Sequence, residues 1–317
     1  MPHTFDLLVI GDANPDAVLG PLDEPLAFGQ REQLVPTGVL TLGGSAAITA
    51  CGAAKLGLRV AIAGRVGDDD AGRFVRAALQ ARGVDTTALG TDPDLPTPLT
   101  AVVARDGDRA ILTSSGTLAA TGPADVPEEW LTTSRHVHAA SYFLMPKLAA
   151  ALPDLLRTAR AHGATTSLDT NDDPAGRWDP DGIAAVLSET DILLPNAQEA
   201  LALAGQASGE PEEAGGRLAG RGPLVVVKDG ARGALAHDGR TVRRASGLTV
   251  RPRDTVGAGD SFDAGYIAAV LRGLPPREAL ALAAACGSLS TRAHGGTDAQ
   301  PTWDEALAAV THNGENE

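Results

Sequence analysis

The sequence predicts an α/β protein with a mostly parallel central sheet, helices on both faces, and a small additional β-layer. Two observations carry this reading. Short apolar runs alternate with helical stretches along the chain, and two segments, about 17–42 and 97–113, break that alternation. Strand, helix, strand in repetition implies crossover connections and therefore parallel pairing.

The elements follow in order. Phe5 to Ile10 is an apolar run ending at Gly11, as a buried strand does. Residues 44–58 are rich in Ala and Leu and close at Gly57, which predicts a helix. Val60 to Ala63 predicts the next strand and Ala71 to Arg82 the next helix. The runs His136–Ala140, Thr165–Asp169, Asp191–Leu194 and Leu224–Lys228 continue the series. Of the two exceptions, 17–42 is rich in Pro and Gly, and 97–113 holds two short alternating runs around Arg105-Asp106-Gly107-Asp108, a hairpin signal. Neither suits a crossover helix, so both are expected to supply strands that project from the main sheet. With no repeat and no low-complexity linker, residues 1–317 are expected to form a single domain whose tail frays after Leu307.

The chain has 317 residues, 43% of them hydrophobic, and a formal net charge of -14, which repels nucleic-acid backbones and anionic lipid alike. No nucleic-acid or membrane partner is expected. The longest apolar run, around Ala279 to Ala285, is far short of the roughly 18 residues a membrane span needs. Cys51 and Cys286 lie in Ala-rich helical stretches and read as buried free thiols. The N-terminus lacks the Lys/Arg run of a signal peptide, and a cytoplasmic location is expected.

The chemistry concentrates in Asp254-Thr255-Val256-Gly257-Ala258-Gly259-Asp260-Ser261-Phe262, which opens a helical run to Arg272. Two glycines one apart at a helix start let backbone N–H groups point at an anion, and the helix dipole adds to their field. Asp260 stands where a carboxylate could take the proton of a hydroxyl attacking a phosphoryl group held by those amides. A bare Gly-x-Gly-Asp is as readily an Asp-capped turn; the nine-residue string is far more specific.

That string resembles the C-terminal signature of the PfkB kinases, and other matches follow in chain order. Gly11, Asn14 and Asp16 resemble the family's sugar-holding motif after the first strand, and Gly43-Gly44-Ser45-Ala46-Ala47 its N-terminal signature. Gly67-Asp68 through Gly72 resembles the loop after the second strand. Asn196 and Glu199 match the N-x-x-E motif, and Lys228, Gly230 and Gly233 fall on the nucleotide loop. The resemblance implies a ribokinase-like fold and ATP-dependent phosphorylation of a small sugar. By it, Asp260 is the general base, the amides of Gly257, Ala258 and Gly259 form the anion hole, and Asn14, Asp16, Gly43 and Gly44 line the sugar site. It further implies that Lys228, Gly230, Gly233 and Asn196 border ATP and that Glu199 and Asn196 organise Mg2+, through water. Asp254 and the loop from Arg292 to Gly296 resemble the monovalent-cation region, which implies K+. The two anomalous segments would form the β-lid, which in some members is also the homodimer contact.

Two departures bear on the substrate. In the family an Asn that contacts sugar hydroxyls usually stands where this chain has Ile48, so one polar contact is missing or replaced. Asp169-Thr170-Asn171-Asp172-Asp173 resembles the D-x-N-x-R motif with Asp173 in place of Arg. An aspartate there would repel an anionic group, although Arg177 is near, so a neutral sugar is expected. Other readings stand beside these. Pro195-Asn196-Ala197-Gln198-Glu199 is also a well-formed helix start. His136 and His138 share one face of a strand and read as core packing, since no third metal ligand is evident. Asp68, Asp69 and Asp70 read as a solvated acidic turn. The alternatives for the whole chain are a nucleoside kinase, with Phe28, Tyr142 and Phe143 available to stack a base, and a sugar- or nucleotide-binding regulator without catalysis.

Overall fold

The computed structural model describes residues 3–105 and 108–314. The first half of the chain forms β1 (Phe5–Ile10), β2 (Asn14–Gly20), β3 (Thr37–Gly43), α1 (Ser45–Lys55), β4 (Val60–Gly67), α2 (Asp70–Ala81), β5 (Val84–Asp85), β6 (Leu89–Asp92), β7 (Leu99–Arg105) and β8 (Asp108–Ser114). There follow α3 (Glu128–Thr133), β9 (Ser134–Ala139), α4 (Pro146–Ala161), β10 (Thr165–Leu168), α5 (Pro180–Leu187), β11 (Ile192–Leu193), α6 (Ala197–Leu203), α7 (Pro211–Ala219) and β12 (Leu224–Lys228). The chain ends with β13 (Ala234–His237), β14 (Val242–Ala245), α8 (Ala258–Leu271), α9 (Pro276–Ser290) and α10 (Trp303–Gly314).

The main sheet has the order β14-β13-β12-β11-β10-β9-β1-β4-β5, with β6 also against β4. From β5 to β12 every pairing is parallel, and only β13 and β14 add antiparallel strands. The chain leaves β1 toward β4 on one side and later returns to β9 on the other. That reversal makes a crevice at the carboxyl ends of β1 and β9, where open α/β sheets bind ligands. Alternate residues of β1 enter opposite layers: Leu7 and Val9 meet α1, α8 and α9, while Leu8 and Ile10 meet α4 and α5. The Asp191–Leu194 run gives only Ile192 and Leu193 to the ladder, because the Asp191 carboxylate accepts from the Thr166 N–H (2.8 Å) at the strand's start.

The two anomalous segments supply a separate four-stranded sheet, β3-β2-β7-β8. The strand of the first segment begins at Asn14, earlier than the pattern indicated, and 21–36 carry no strand. β7 and β8 pair antiparallel from Leu99↔Ser114 to Arg105↔Asp108, and Asp106 and Gly107 of the expected turn lie outside the described residues.

His136 and His138 are fully buried and serve the sheet. His136 shares hydrogen bonds with Thr165 Oγ1 (2.6 Å) and Ser167 Oγ (2.7 Å), and His138 with Ser167 Oγ (2.7 Å). Burial pushes His136 down to about 3 and His138 to about 4, from an ordinary 6.5. The unfolded chain therefore binds more protons between about pH 6.5 and 4, and the stability these groups contribute falls on acidification by up to about 1.4 kcal/mol per pH unit each. Buried carboxyls titrate in the opposite sense, so the difference between chains is the test. The urea-unfolding free energy of His136→Gln should fall less steeply across that window than that of the parent, and equal slopes would contradict the assignment.

Candidate active site

The crevice is organised first by Asp12, just past β1. Its carboxylate accepts from the amides of Ser45 (3.2 Å) and Ala46 (3.0 Å), satisfying the start of α1, whose N-cap Gly44 has no side chain to do so. Gly44 needs to be glycine: its φ is 88°, and a Cβ would lie 2.9 Å from the Asp12 carbonyl oxygen.

Asn14 and Asp16, on β2 of the four-stranded sheet, face the crevice. Asn14 Nδ2 donates to Asp16 Oδ1 (2.8 Å) and to Thr100 Oγ1 (3.1 Å) on β7. A Cβ at Gly43 would come within 2.0 Å of the Asp16 carboxylate, so glycine on β3 is what lets that carboxylate sit there. Burial, then the neighbouring charge of Asp12, pushes Asp16 up to about 7. These groups line a cleft of about 590 Å³ beneath the four-stranded sheet, together with Ile48, Asn171 and Asp260.

Asp260 lies in the first turn of α8 and is buried at the floor of this cleft. Ser45 Oγ donates to its carboxylate, Asn171 Nδ2 donates to Ser45 Oγ (3.1 Å), and Asn171 N–H donates to Asp169 Oδ1 (3.1 Å). Burial, followed by the charge of Asp169, raises the Asp260 carboxyl to about 7, a value suited to a general base at neutral pH. Gly257 enters α8 in the left-handed region, φ 71°. The amides of Gly257, Gly259 and Asp260 have no acceptor among the described residues, whereas Ala258 N–H already donates to the Thr255 carbonyl (3.3 Å). Of the three amides expected to form an anion hole, Gly257 and Gly259 are thus open among the described residues while the α8 turn takes up Ala258, and Asp260 N–H is open beside them.

On the other side of the Gly257–Gly259 loop is a cavity of about 290 Å³, walled by Leu248, Val250, Phe262 and Ala284 and bordered by Gly230 and Gly233. Gly233 must be glycine, since φ is 92° and a Cβ would meet the Ala245 carbonyl oxygen at 2.1 Å. The Lys228 stem lines this cavity with Gly230 and Gly233, and its ammonium is turned inward. Nζ donates to Asp169 Oδ2 (2.6 Å) and to both oxygens of Asp263 (3.2 and 3.1 Å). Burial alone would lower the lysine; the charges of Asp169 and Asp263 outweigh it and raise it, so the ammonium keeps its proton. Asp169 is held below its usual range by that ammonium despite its burial, and Asp263 is pushed up by burial. Asp169, Asp260 and Asp263 bring carboxylate oxygens within 4.8 Å of one another, a grouping that could suit a metal, but Lys228 already bonds two of the three.

Asn196 and Glu199 form a reciprocal cap on α6. Asn196 Oδ1 accepts from Glu199 N–H (2.9 Å), and Glu199 Oε2 accepts from Asn196 N–H (2.8 Å). Glu199 Oε1 carries no hydrogen bond among the described residues, and burial raises the carboxyl to about 8. Asp254 ties two loops together, accepting from Val256 N–H (2.9 Å) and Gly295 N–H (2.9 Å).

The departures look different in three dimensions. Asp173 turns into its own loop, where its carboxylate accepts from the amides of Ala175 (2.9 Å), Arg177 (2.7 Å) and Trp178 (2.7 Å). It does not line the cleft, although its neighbour Asp172 does. Ile48 does line it, packed against the Gly257 and Gly296 backbone. None of the residues lining the cleft is aromatic. Phe28 is 88% exposed, and Tyr142, Phe143 and Trp178 pack edge-to-face on one another. Sequence reasoning missed Asp12, Asn171 and Arg109 as cleft groups.

The model of the pfkB family carbohydrate kinases matches residues 4–303. The chain belongs to that family. It is an ATP-dependent carbohydrate kinase with a ribokinase-like fold. Over 270 residues, 85% of this chain and 86% of the relative, it is 35% identical to an ATP-dependent ribose-1-phosphate kinase of Halopiger xanaduensis. It is 27% identical to a 5-dehydro-2-deoxygluconokinase of Bacillus subtilis, covering 95% and 94% of the two chains. A solved structure described as a putative ribokinase II from E. coli in complex with ATP and Mg2+ matches at TM-score 0.85 and 25% identity, covering 97% and 99%. The kinase has no described helix long and apolar enough to cross a membrane.

In this kinase, Gly43→Ala should dislodge the Asp16 carboxylate. The KM for the sugar is expected to rise by about tenfold or more, the scale of a lost hydrogen bond to a charged group, with the KM for ATP unchanged. An unchanged sugar KM in steady-state assays would show that Asp16 does not hold the sugar.

Proposed function

We propose that the enzyme transfers the γ-phosphoryl group of ATP to a hydroxyl of a small sugar held between Asp16 and Asp260, with Asp260 as general base. The observation that supports this most is the junction at the start of α8. One buried carboxyl near neutrality and three amides unpaired among the described residues stand between a cleft that carries Asp12, Asp16 and Asp172 and a separate cavity that carries no carboxylate. Asn14 and Asp16 orient the sugar. Asp260 takes the proton of the attacking hydroxyl, and Ser45 keeps the carboxylate aimed at it. The free amides and the α8 dipole stabilise charge on the transferring group. The adenine end of ATP occupies the cavity bordered by Gly230 and Gly233.

Glu199 Oε1 offers an oxygen without a protein partner, a fit for a hydrated Mg2+, so we place the ion beside Glu199 and Asn196. Mg2+ bound there would offset phosphate charge. We assign the K+ expected from the sequence to the Asp254 loop. We further propose that the whole chain works as one catalytic domain in the cytoplasm, with the four-stranded sheet as its lid. Leu40 and Leu112, 59% and 61% exposed on the lid's outer face, would form a homodimer contact. The relatives' names denote a sugar phosphate and a deoxygluconate, both anionic, so the neutral-sugar expectation draws no support from them. A nucleoside substrate is disfavoured by the absence of aromatic lining.

Asp260→Ala should lower kcat by about 10²–10⁴-fold while ATP still binds, as followed by calorimetry and ADP release; parental turnover would overturn the assignment. The base works ionised, so activity should rise with pH through about 7, steeply because Asp16 titrates there too.

A further inference from the structure

The lid's strand register selects which side chains look down into the sugar cleft. Val18 pairs with Val102 and Val102 with Ile111, so side chains alternate in step across β2, β7 and β8. One face presents Asn14, Asp16, Thr100, Val102, Ile111 and Thr113, all of which line the cleft. Arg109 is two residues before Ile111 on β8 and therefore lies on that same face, lining the cleft with them.

Among the described residues, Arg109 is the one basic side chain lining the cleft; the other charged groups there are Asp12, Asp16, Asp172 and Asp260. No carboxylate lies within ion-pair distance of it among the described residues, in a chain with 40 acidic and 26 basic residues. Its side-chain hydrogen bond is from Nη1 to Thr255 Oγ1 (2.6 Å), which anchors the guanidinium over the Gly257 loop. A guanidinium carries five N–H donors in a planar fork, so this anchor leaves most of the fork open. Asp173, the acidic group expected to repel anions, is turned away into its own loop.

We infer that Arg109 is a specificity-determining residue that pairs with an anionic group of the sugar substrate, a carboxylate or a phosphate, when the sugar lies under the lid. The inference rests on the reading of this cleft as the sugar site and adds to it the substrate class. A planar fork matches either oxyanion in two-point contact, and an anion brought among four carboxyls needs such a cation to enter. The arginine does not line the nucleotide cavity, which separates this role from a contact to ATP.

The test is ADP release with Mg2+-ATP by the parent and by Arg109→Met. The substrates are pentose phosphates, aldonates and keto-deoxy aldonates, each beside its uncharged parent sugar. The parent enzyme should favour the charged member of at least one pair. Arg109→Met should cut that preference about tenfold to a hundredfold, with the KM for ATP held and Arg109→Lys intermediate. The phosphate and carboxylate arms tell which anion is read. Preference for an uncharged sugar, or an equal loss on every substrate, would overturn this inference alone. Silence with every sugar would overturn the kinase assay's premise and this inference with it.

Discussion

One buried ammonium holds the catalytic end of the molecule together. Lys228 leaves the end of β12 and reaches Asp169, just past β10, and Asp263, on the first turns of α8. Asp263 is three residues beyond Asp260, on the same side of the helix, so fixing one fixes the other. Lys228 and Asp169 are almost fully removed from water, and such a buried ion pair is stable only while each charge keeps its partner; Asp263, whose carboxyl burial pushes up, adds hydrogen bonds to the ammonium. Nζ also lies about 3.5 Å from where a Cβ on Gly259 would be, directly under the loop whose amides we propose stabilise the phosphoryl group. The position of the base and the direction of the amides therefore follow from one ion-paired cluster that need touch neither substrate.

The cluster also partitions charge. Asp169 stays ionised beside Lys228, and its negative charge, added to burial, lifts Asp260 toward neutrality. Without the ammonium, Asp169, Asp260, Asp263 and Glu199 would crowd one desolvated region, and protonating them would be the cheapest escape. An internal lysine thus lets the site keep a carboxylate array of the kind that elsewhere gathers a metal.

The main sheet was legible in the sequence because its strands are buried on both faces and read as short apolar runs, from Phe5–Ile10 to Leu224–Lys228. The alternating runs in 97–113 marked the second pair of strands in the smaller sheet, but β8 is exposed along its whole length, so nothing in the sequence marked Arg109 as facing the cleft. Motif spacing located Asn14, Asp16, Asn196, Glu199 and Asp260, yet could not say where a side chain points. Lys228 sits in a nucleotide-loop motif and turns its charge into the core, since Asp169 and Asp263 come from distant segments. Asp173 looked like a charge in the sugar site and is instead a loop cap, bonded to amides two, four and five residues on. Ser45 lies inside a recognised signature, but its bond to Asp260 spans 215 positions.

The most direct measurement of this account is the steady-state rate of Lys228→Met, taken on protein shown by circular dichroism to be folded. Because Lys228 acts by holding the start of α8, kcat should fall by about 10²-fold, the usual cost of misplacing a reacting group by about 1 Å, while the KM values for sugar and ATP change little. A folded variant with parental kcat would show that the ammonium does not position the base, and the account would fail at its centre.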